Sequence, residues 1–163
     1  MKTILIPTDF SVQSLDLIKN AILNFPNQKV NIVLALGKKS MVSDFEPMIF
    51  LGLRNSETIE RTFVSKKNKL HLEHKNQISR IQIEVFTGTN KYAFDNFLVA
   101  NNITDALLPM APFRNFNAKN YFCLSHLIQA NMDKVVKVDN FTEEPTKKEF
   151  VFKVTSILDR VNL

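Results

Sequence analysis

A doubly wound five-stranded parallel α/β sheet, with helices on both faces, is the architecture this sequence predicts, and three observations predict it. Short apolar runs at Ile4–Ile6 and Val30–Leu36 read as buried strands, not as strands alternating between core and solvent, and Ile103–Leu108 reads as a further strand. Between them lie stretches whose apolar residues recur at three- and four-residue spacing, the period of an amphipathic helix. The two kinds of segment alternate along the chain, the pattern of β-α-β units with right-handed crossovers. A chain of 163 residues is long enough to bury such a core.

The first strand, Ile4-Leu5-Ile6, ends at Pro7-Thr8-Asp9. Ser11 then caps a helix carrying Leu15, Ile18, Ile22 and Phe25 on one face, and Pro26-Asn27 stop it. The second strand, Val30–Leu36, completes the first β-α-β unit. Residues 37–55 break the pattern with apolar Met41, Val42, Phe45, Met48, Ile49, Phe50, Leu51 and Leu53. A structureless loop of that length is uncommon, so part of it is expected to be a short helix. It reads either as a cover packed on the core or as a lid or partner-binding surface.

Ser56 and Glu57 open a helix that runs to about His74. Arg80–Phe86 alternates Ile81, Ile83 and Val85 with Gln82 and Glu84, as an edge or half-covered strand does. A helix with Tyr92, Phe94, Phe97 and Leu98 follows Gly88-Thr89-Asn90 and ends at Asn101-Asn102. Ile103–Leu108 is the fourth strand, residues 117–131 read as a helix through Tyr121, Leu124 and Ile128, and Lys134–Val138 is the fifth strand. The domain therefore spans residues 1–140. Residues 141–163 begin with a linker, Thr142-Glu143-Glu144-Pro145, and continue as an amphipathic helix with Phe150, Val154, Ile157 and Val161 at four-three-four spacing. That helix is too short to be stable alone, so it docks on its own domain or on a second copy or partner.

Composition narrows the classes of function. With 45% hydrophobic and 23% charged residues the chain is an ordinary globular protein and not a disordered one. The net charge of +5 is concentrated where Arg54, Arg61, Lys66, Lys67, Lys69, Lys75 and Arg80 outnumber Glu57, Glu60 and Glu73. A solvated helix face accounts for that run. Nucleic acid is not the expected partner, since no nucleic-acid motif accompanies it, and weak binding of an anionic polymer is the minority reading. The single Cys123 excludes an internal disulfide and fits a reducing compartment. No apolar run reaches the length of a membrane span, and the apolar stretch after Lys2 is short for a signal peptide, with Pro7 and Asp9 interrupting it. A cytoplasmic location is expected.

Only three residues are glycine: Gly37, Gly52 and Gly88. Glycine supplies the backbone freedom of phosphate-cradling loops, so any reading that needs clustered glycines is disfavoured. Gly37-Lys38-Lys39-Ser40 superficially resembles a phosphate loop but lacks the upstream glycine and does not lead straight into a helix. His71 and His74 lie three apart on a helix, but no motif supplies a third ligand, so exposed helix histidines are the reading and no metal is expected. Cys123 and His126 have the spacing of a pair, yet nothing orients the histidine; Cys123 reads as a buried structural cysteine. No paired carboxylates and no triad stand out, and no catalytic activity is expected.

The order of elements and three local matches resemble the universal stress protein (UspA-like) family. The first match is Lys2-Thr3-Ile4-Leu5-Ile6-Pro7-Thr8-Asp9-Phe10-Ser11 with Ser14 and Ala21; the second is Val85 to Gly88; the third is Asp105-Ala106-Leu107-Leu108. The resemblance covers about residues 1–140 and is poor between 37 and 80. It implies a sheet in the order 3-2-1-4-5 and commonly a homodimer through the last strand, to which the C-terminal helix could add. ATP-binding members carry G-x2-G-x9-G-[ST] after the fourth strand. Aligning Asp105 on the family's aspartate puts Met110, Phe113, Cys123 and Leu124 at those four positions, so all four are replaced.

The same conclusion follows from the residues themselves. A triphosphate needs converging backbone N–H groups from a turn that lets the chain approach its oxygens. Pro112 removes one N–H and Phe113 fills space beside it. Asp9 matches the family's nucleotide-contacting aspartate at the carboxyl end of the first strand, where this fold class binds ligands; alternatively it caps the first helix with Ser11. The expectation is a stress-response or signalling protein that acts by protein contact, binds no ATP through the family loop and needs no cofactor. The alternative is an adenine-nucleotide or small-anion binder with a rebuilt site at the carboxyl ends of strands one and four, using Asp9, Arg114, Lys119 and Ser125.

Overall fold

The computed structural model describes residues 1–39, 57–111, 113 and 121–139, with side chains in the second helix from Arg61 onward. Residues 40–56, most of the expected lid or cover, and the tail from 140 lie outside the described residues. In chain order the elements are β1 (Lys2–Pro7), α1 (Asp16–Asn24), β2 (Val30–Lys38), α2 (Glu57–Glu73), β3 (Ile78–Phe86), α3 (Lys91–Ala100), β4 (Asp105–Pro109), β5 (Tyr121–Phe122), α4 (Ser125–Asn131) and β6 (Val135–Val138).

The main path of the sheet runs β3-β2-β1-β4-β6, all neighbours parallel. This is the expected order 3-2-1-4-5, with β6 in the place of the fifth strand. Side chains of the central strands alternate between two apolar layers, as the period of two requires. Ile4 and Ile6 of β1, Ile32 and Leu34 of β2 and Leu107 of β4 pack with Leu15, Ile18 and Ile22 around α1 and Phe63 and Leu70 of α2. Leu5, Val33, Ala35, Ala106 and Leu108 pack on the other face with Phe94 of α3 and Ile128 of α4. Burial on both faces explains why these strands read as continuous apolar runs.

The carboxyl ends of the strands are shaped by local polar groups. A 3-10 turn at Gln13–Leu15 precedes α1. Ser11 Oγ accepts from Ser14 N at 3.1 Å and so holds this turn, while α1 itself follows Leu15 with no side-chain cap, four residues later than the cap expected at Ser11. The Asn90 side chain caps α3 by accepting from Ala93 N at 2.9 Å. Asn102, just after α3, takes the left-handed conformation at φ 52°, which asparagine tolerates better than most residues.

One expected element is corrected. Tyr121 and Phe122 do not begin a helix; they form a strand antiparallel to β2, with Phe122 opposite Gly37 and Tyr121 opposite Lys38. The helix starts only at Ser125. Tyr121, Leu124 and Ile128 do share a helical spacing, but Tyr121 packs toward the α1/α2 layer while Leu124 and Ile128 belong to the α3/α4 layer. The spacing therefore spans a strand and a helix.

Candidate functional site

In an open α/β sheet the ligand crevice lies beyond the carboxyl ends of the strands, where the order reverses. Here that point is between β1 and β4. β1 pairs with β2 as far as Pro7 opposite Ala35, and Thr8 N donates to Ala35 O at 2.9 Å. The chain then turns through Thr8-Asp9-Phe10-Ser11 into the 3-10 turn.

That turn is held from inside. Thr8 is 1% exposed; its Oγ1 accepts from Phe10 N at 3.0 Å and lies 2.7 Å from Ser14 Oγ. Ser14 Oγ in turn donates to Ser11 O at 2.8 Å. Phe10 sits at φ 59°, a conformation costing a bulky L-residue roughly 1–2 kcal/mol. Its ring packs edge-on to Phe63 with centroids 5.3 Å apart, which anchors the strained residue to the core.

Asp9 stands at this turn, half-buried, and its Oδ1 accepts from Ser11 N at 2.9 Å. The carboxylate closes a local turn two residues on and does not cap a helix: the residues at the N-caps of the 3-10 turn and of α1 are Val12 and Leu15, neither with a side-chain cap. Ser125 opens α4, and its Oγ lies 3.0 Å from Cys123 Sγ. Cys123 is half-buried, where a fully buried cysteine was expected, and its contact is Ser125, not His126. Arg114 and Lys119 lie outside the described residues, as does Pro112. Of the four candidate residues, then, Asp9 and Ser125 are placed, each in a local contact, and no hydrogen bond joins them.

Sequence reasoning missed the short strand β5 at the carboxyl end of β2. β2 extends past Ala35 through Leu36, Gly37 and Lys38, beyond the last residue of β1 that pairs with it. One edge of β2 at Gly37 is taken by Phe86 of β3. The pairing of Gly37 with Phe122 must use the other edge, the one β1 occupies lower down. β5 thus continues the place of β1 along the end of β2, on the side of β2 that faces the switch point. The Phe122 ring covers Gly37 closely: a Cβ there would come within 2.6 Å of ring atoms Cδ2 and Cζ. Phe113 and Tyr121 pack against the α1/α2 layer, and Phe122 against the α3/α4 layer. The only signal for this arrangement was the glycine itself, near the end of β2.

The other expected features are placed as follows. His71 Nε2 lies 3.2 Å from Ser79 O. Among the described residues no group of three or more His, Cys, Asp or Glu could hold a metal ion, and no helix is long and apolar enough to cross a membrane. An open cavity of about 420 Å³ along α2 is lined by Arg61, Thr62, Ser65, Lys66 and Lys69. Within it Lys66 pairs with Asp16 at 3.2 Å and Lys69 with Glu73 at 3.7 Å, so two of its cations already have carboxylate partners. At the opposite, amino end of the sheet Asp105 is 5% exposed and bonded through Oδ1 to Lys2 Nζ at 2.7 Å. Burial pushes the Asp105 carboxyl up, but the hydrogen bond and charge of Lys2, with Thr104 and the charge of Lys134, outweigh it and hold it below its ordinary value.

No protein-family model matches the sequence, and no curated protein matches it. Solved structures do. A universal stress protein in complex with cAMP is 14% identical with a TM-score of 0.49, covering 86% of this chain and 98% of that one. The universal stress protein UspA from Lactobacillus plantarum is 11% identical with a TM-score of 0.47, covering 84% and 97%. A universal stress protein family protein from Arabidopsis thaliana with AMP bound is 12% identical with a TM-score of 0.47, covering 90% and 97%. The chain is similar to these proteins in outline. Its own strand order, not that likeness, carries the fold.

Proposed function

We propose that this is a universal-stress-protein-like protein that works by protein–protein contact and does not bind ATP through a glycine loop. The observation that carries the reading is the occupied crevice. Backbone groups of Gly37 and Lys38 that face the switch point are paired with Phe122 and Tyr121, and the Phe122 ring lies over the Gly37 backbone. A nucleotide would have to displace that strand before reaching β2. The use of Asp9 Oδ1 within the turn supports the same reading, because the carboxylate is already engaged by Ser11 N. In place of a small-molecule site the fold offers edges. β6, half-exposed along most of its length, borders the sheet beyond β4, and a second copy pairing there would make a homodimer. The protein carries no catalytic role in this account and needs no cofactor.

Equilibrium dialysis of the full chain against ATP tests the reading. The expected result is no saturable binding in the micromolar range. Micromolar binding would return Asp9, Arg114, Lys119 and Ser125 to the role of a rebuilt nucleotide or small-anion site.

A further inference from the structure

α2 has two unlike faces. Phe63 and Leu70 are buried in the layer beneath it, while Arg61, Ser65 and Lys69 follow one another at four-residue spacing on its exposed side. Thr62 and Lys66 run beside them and complete the open cavity along the helix. Every side chain lining that groove is a cation or a hydroxyl, so the lining is rich in hydrogen-bond donors and holds no carboxylate of its own. Lys66 reaches Asp16 Oδ1 at 3.2 Å and Val12 O at 3.5 Å, which ties this side of α2 to the turn ahead of α1. The groove is therefore carried on an anchored helix.

We infer that the α2 groove docks an extended acidic segment of a partner protein, whose carboxylates are taken by Arg61 and Lys69. The inference rests on the protein-contact reading of the proposed function and names a surface and a partner chemistry for it. Carboxylates are acceptor-only groups and complement a lining of donors. The structure already shows two of these ammonium groups holding carboxylates, Lys66 with Asp16 and Lys69 with Glu73. The second pair spans 3.7 Å with the Lys69 side chain 75% exposed, and a long surface pair of that kind contributes little, so Lys69 can exchange Glu73 for a partner's carboxylate. Spacing fits as well. Arg61 and Lys69 stand roughly 12 Å apart along the helix axis at ~1.5 Å per residue. Side chains four residues apart on one side of an extended chain span roughly 13 Å. A nucleic-acid strand fits less well, because no aromatic ring lines the groove to stack a base.

Fluorescence anisotropy of a labelled peptide of alternating Glu and Ser, titrated with the full chain, tests the groove. The expected result is saturable binding at low salt that weakens steeply as salt is added, and no binding of the same peptide with Gln in place of Glu. Ser65→Glu sets a carboxylate one turn from both Arg61 and Lys69, an arrangement that supports the helix and blocks the groove. That variant and the double variant Arg61→Gln/Lys69→Gln, each checked by circular dichroism, are expected to lose about tenfold in affinity or more. Lys91→Gln removes a cation from α3, on the opposite face of the sheet, and should bind as wild type does. No binding at low salt would overturn the inference, as would an equal loss in Lys91→Gln, which would mean diffuse attraction to net charge. Tighter binding of a labelled oligothymidylate than of the peptide would overturn it too and assign the groove to nucleic acid. Each of these results leaves the ATP test of the proposed function unaffected, and ATP binding by the wild-type chain would overturn that reading without touching the peptide result.

Discussion

Asp105 is the residue whose environment has the clearest energetic consequence. It sits at the start of β4, opposite Ile4 of β1, and its Oδ1 bonds to Lys2, whose ammonium also lies 4.7 Å above the Phe25 ring. Its Oδ2 is buried with no hydrogen-bond partner, so the carboxylate depends chiefly on Lys2, with smaller help from Thr104 and the charge of Lys134. Because the folded carboxyl titrates below its ordinary value, the pair's contribution is fully present above the unfolded value and is lost as pH falls through the folded one. Asp105→Asn should therefore lower stability at neutral pH and flatten its fall in acid. The loss is expected to be about 1–2 kcal/mol, at the lower end for a buried pair because the Lys2 side chain is 35% exposed and screened. Urea unfolding midpoints across the acid range measure both effects, and an unchanged acid limb would show that Asp105 does not set it.

At the scale of elements, the connection from β1 to α1 shows how far local sequence carries. Ser11 and Asp9 as turn-forming side chains are legible because their partners lie within three residues. The left-handed Phe10 is not legible, since nothing in its side chain favours φ 59°. What holds it is Thr8 Oγ1 from behind and Phe63 from a distant helix. Thr8→Val keeps the shape but leaves Phe10 N–H without its acceptor and Ser14 Oγ without its neighbour. The expected cost is about 1–3 kcal/mol, read from the denaturation midpoint at unchanged slope. β5 was illegible for a related reason. Its partner is β2, far away in sequence, while Tyr121, Leu124 and Ile128 imitate a helical stripe at short range. The short apolar runs of β1, β2 and β4 had no such competitor, because their length and burial on both faces favour a strand.

For the whole molecule, the strand order was legible because alternating elements and right-handed crossovers leave few ways to wind a sheet. The condition of the ligand crevice was legible only in part. The absence of a glycine after Gly88 argued against a phosphate loop, but it did not say what stands in the crevice instead. Assembly belongs to this scale as well. If β6 pairs with its counterpart in a second copy, sedimentation at tens of micromolar should give the mass of a dimer; a monomer at that concentration would remove β6 as a dimer edge. The central claim is that the chain fills its own switch point, and a crystal structure of protein purified without added nucleotide tests it most directly. The account predicts Phe122 lying over Gly37 with Tyr121 paired to Lys38. Density for a nucleotide or another molecule against β2, with Phe122 elsewhere, would contradict it.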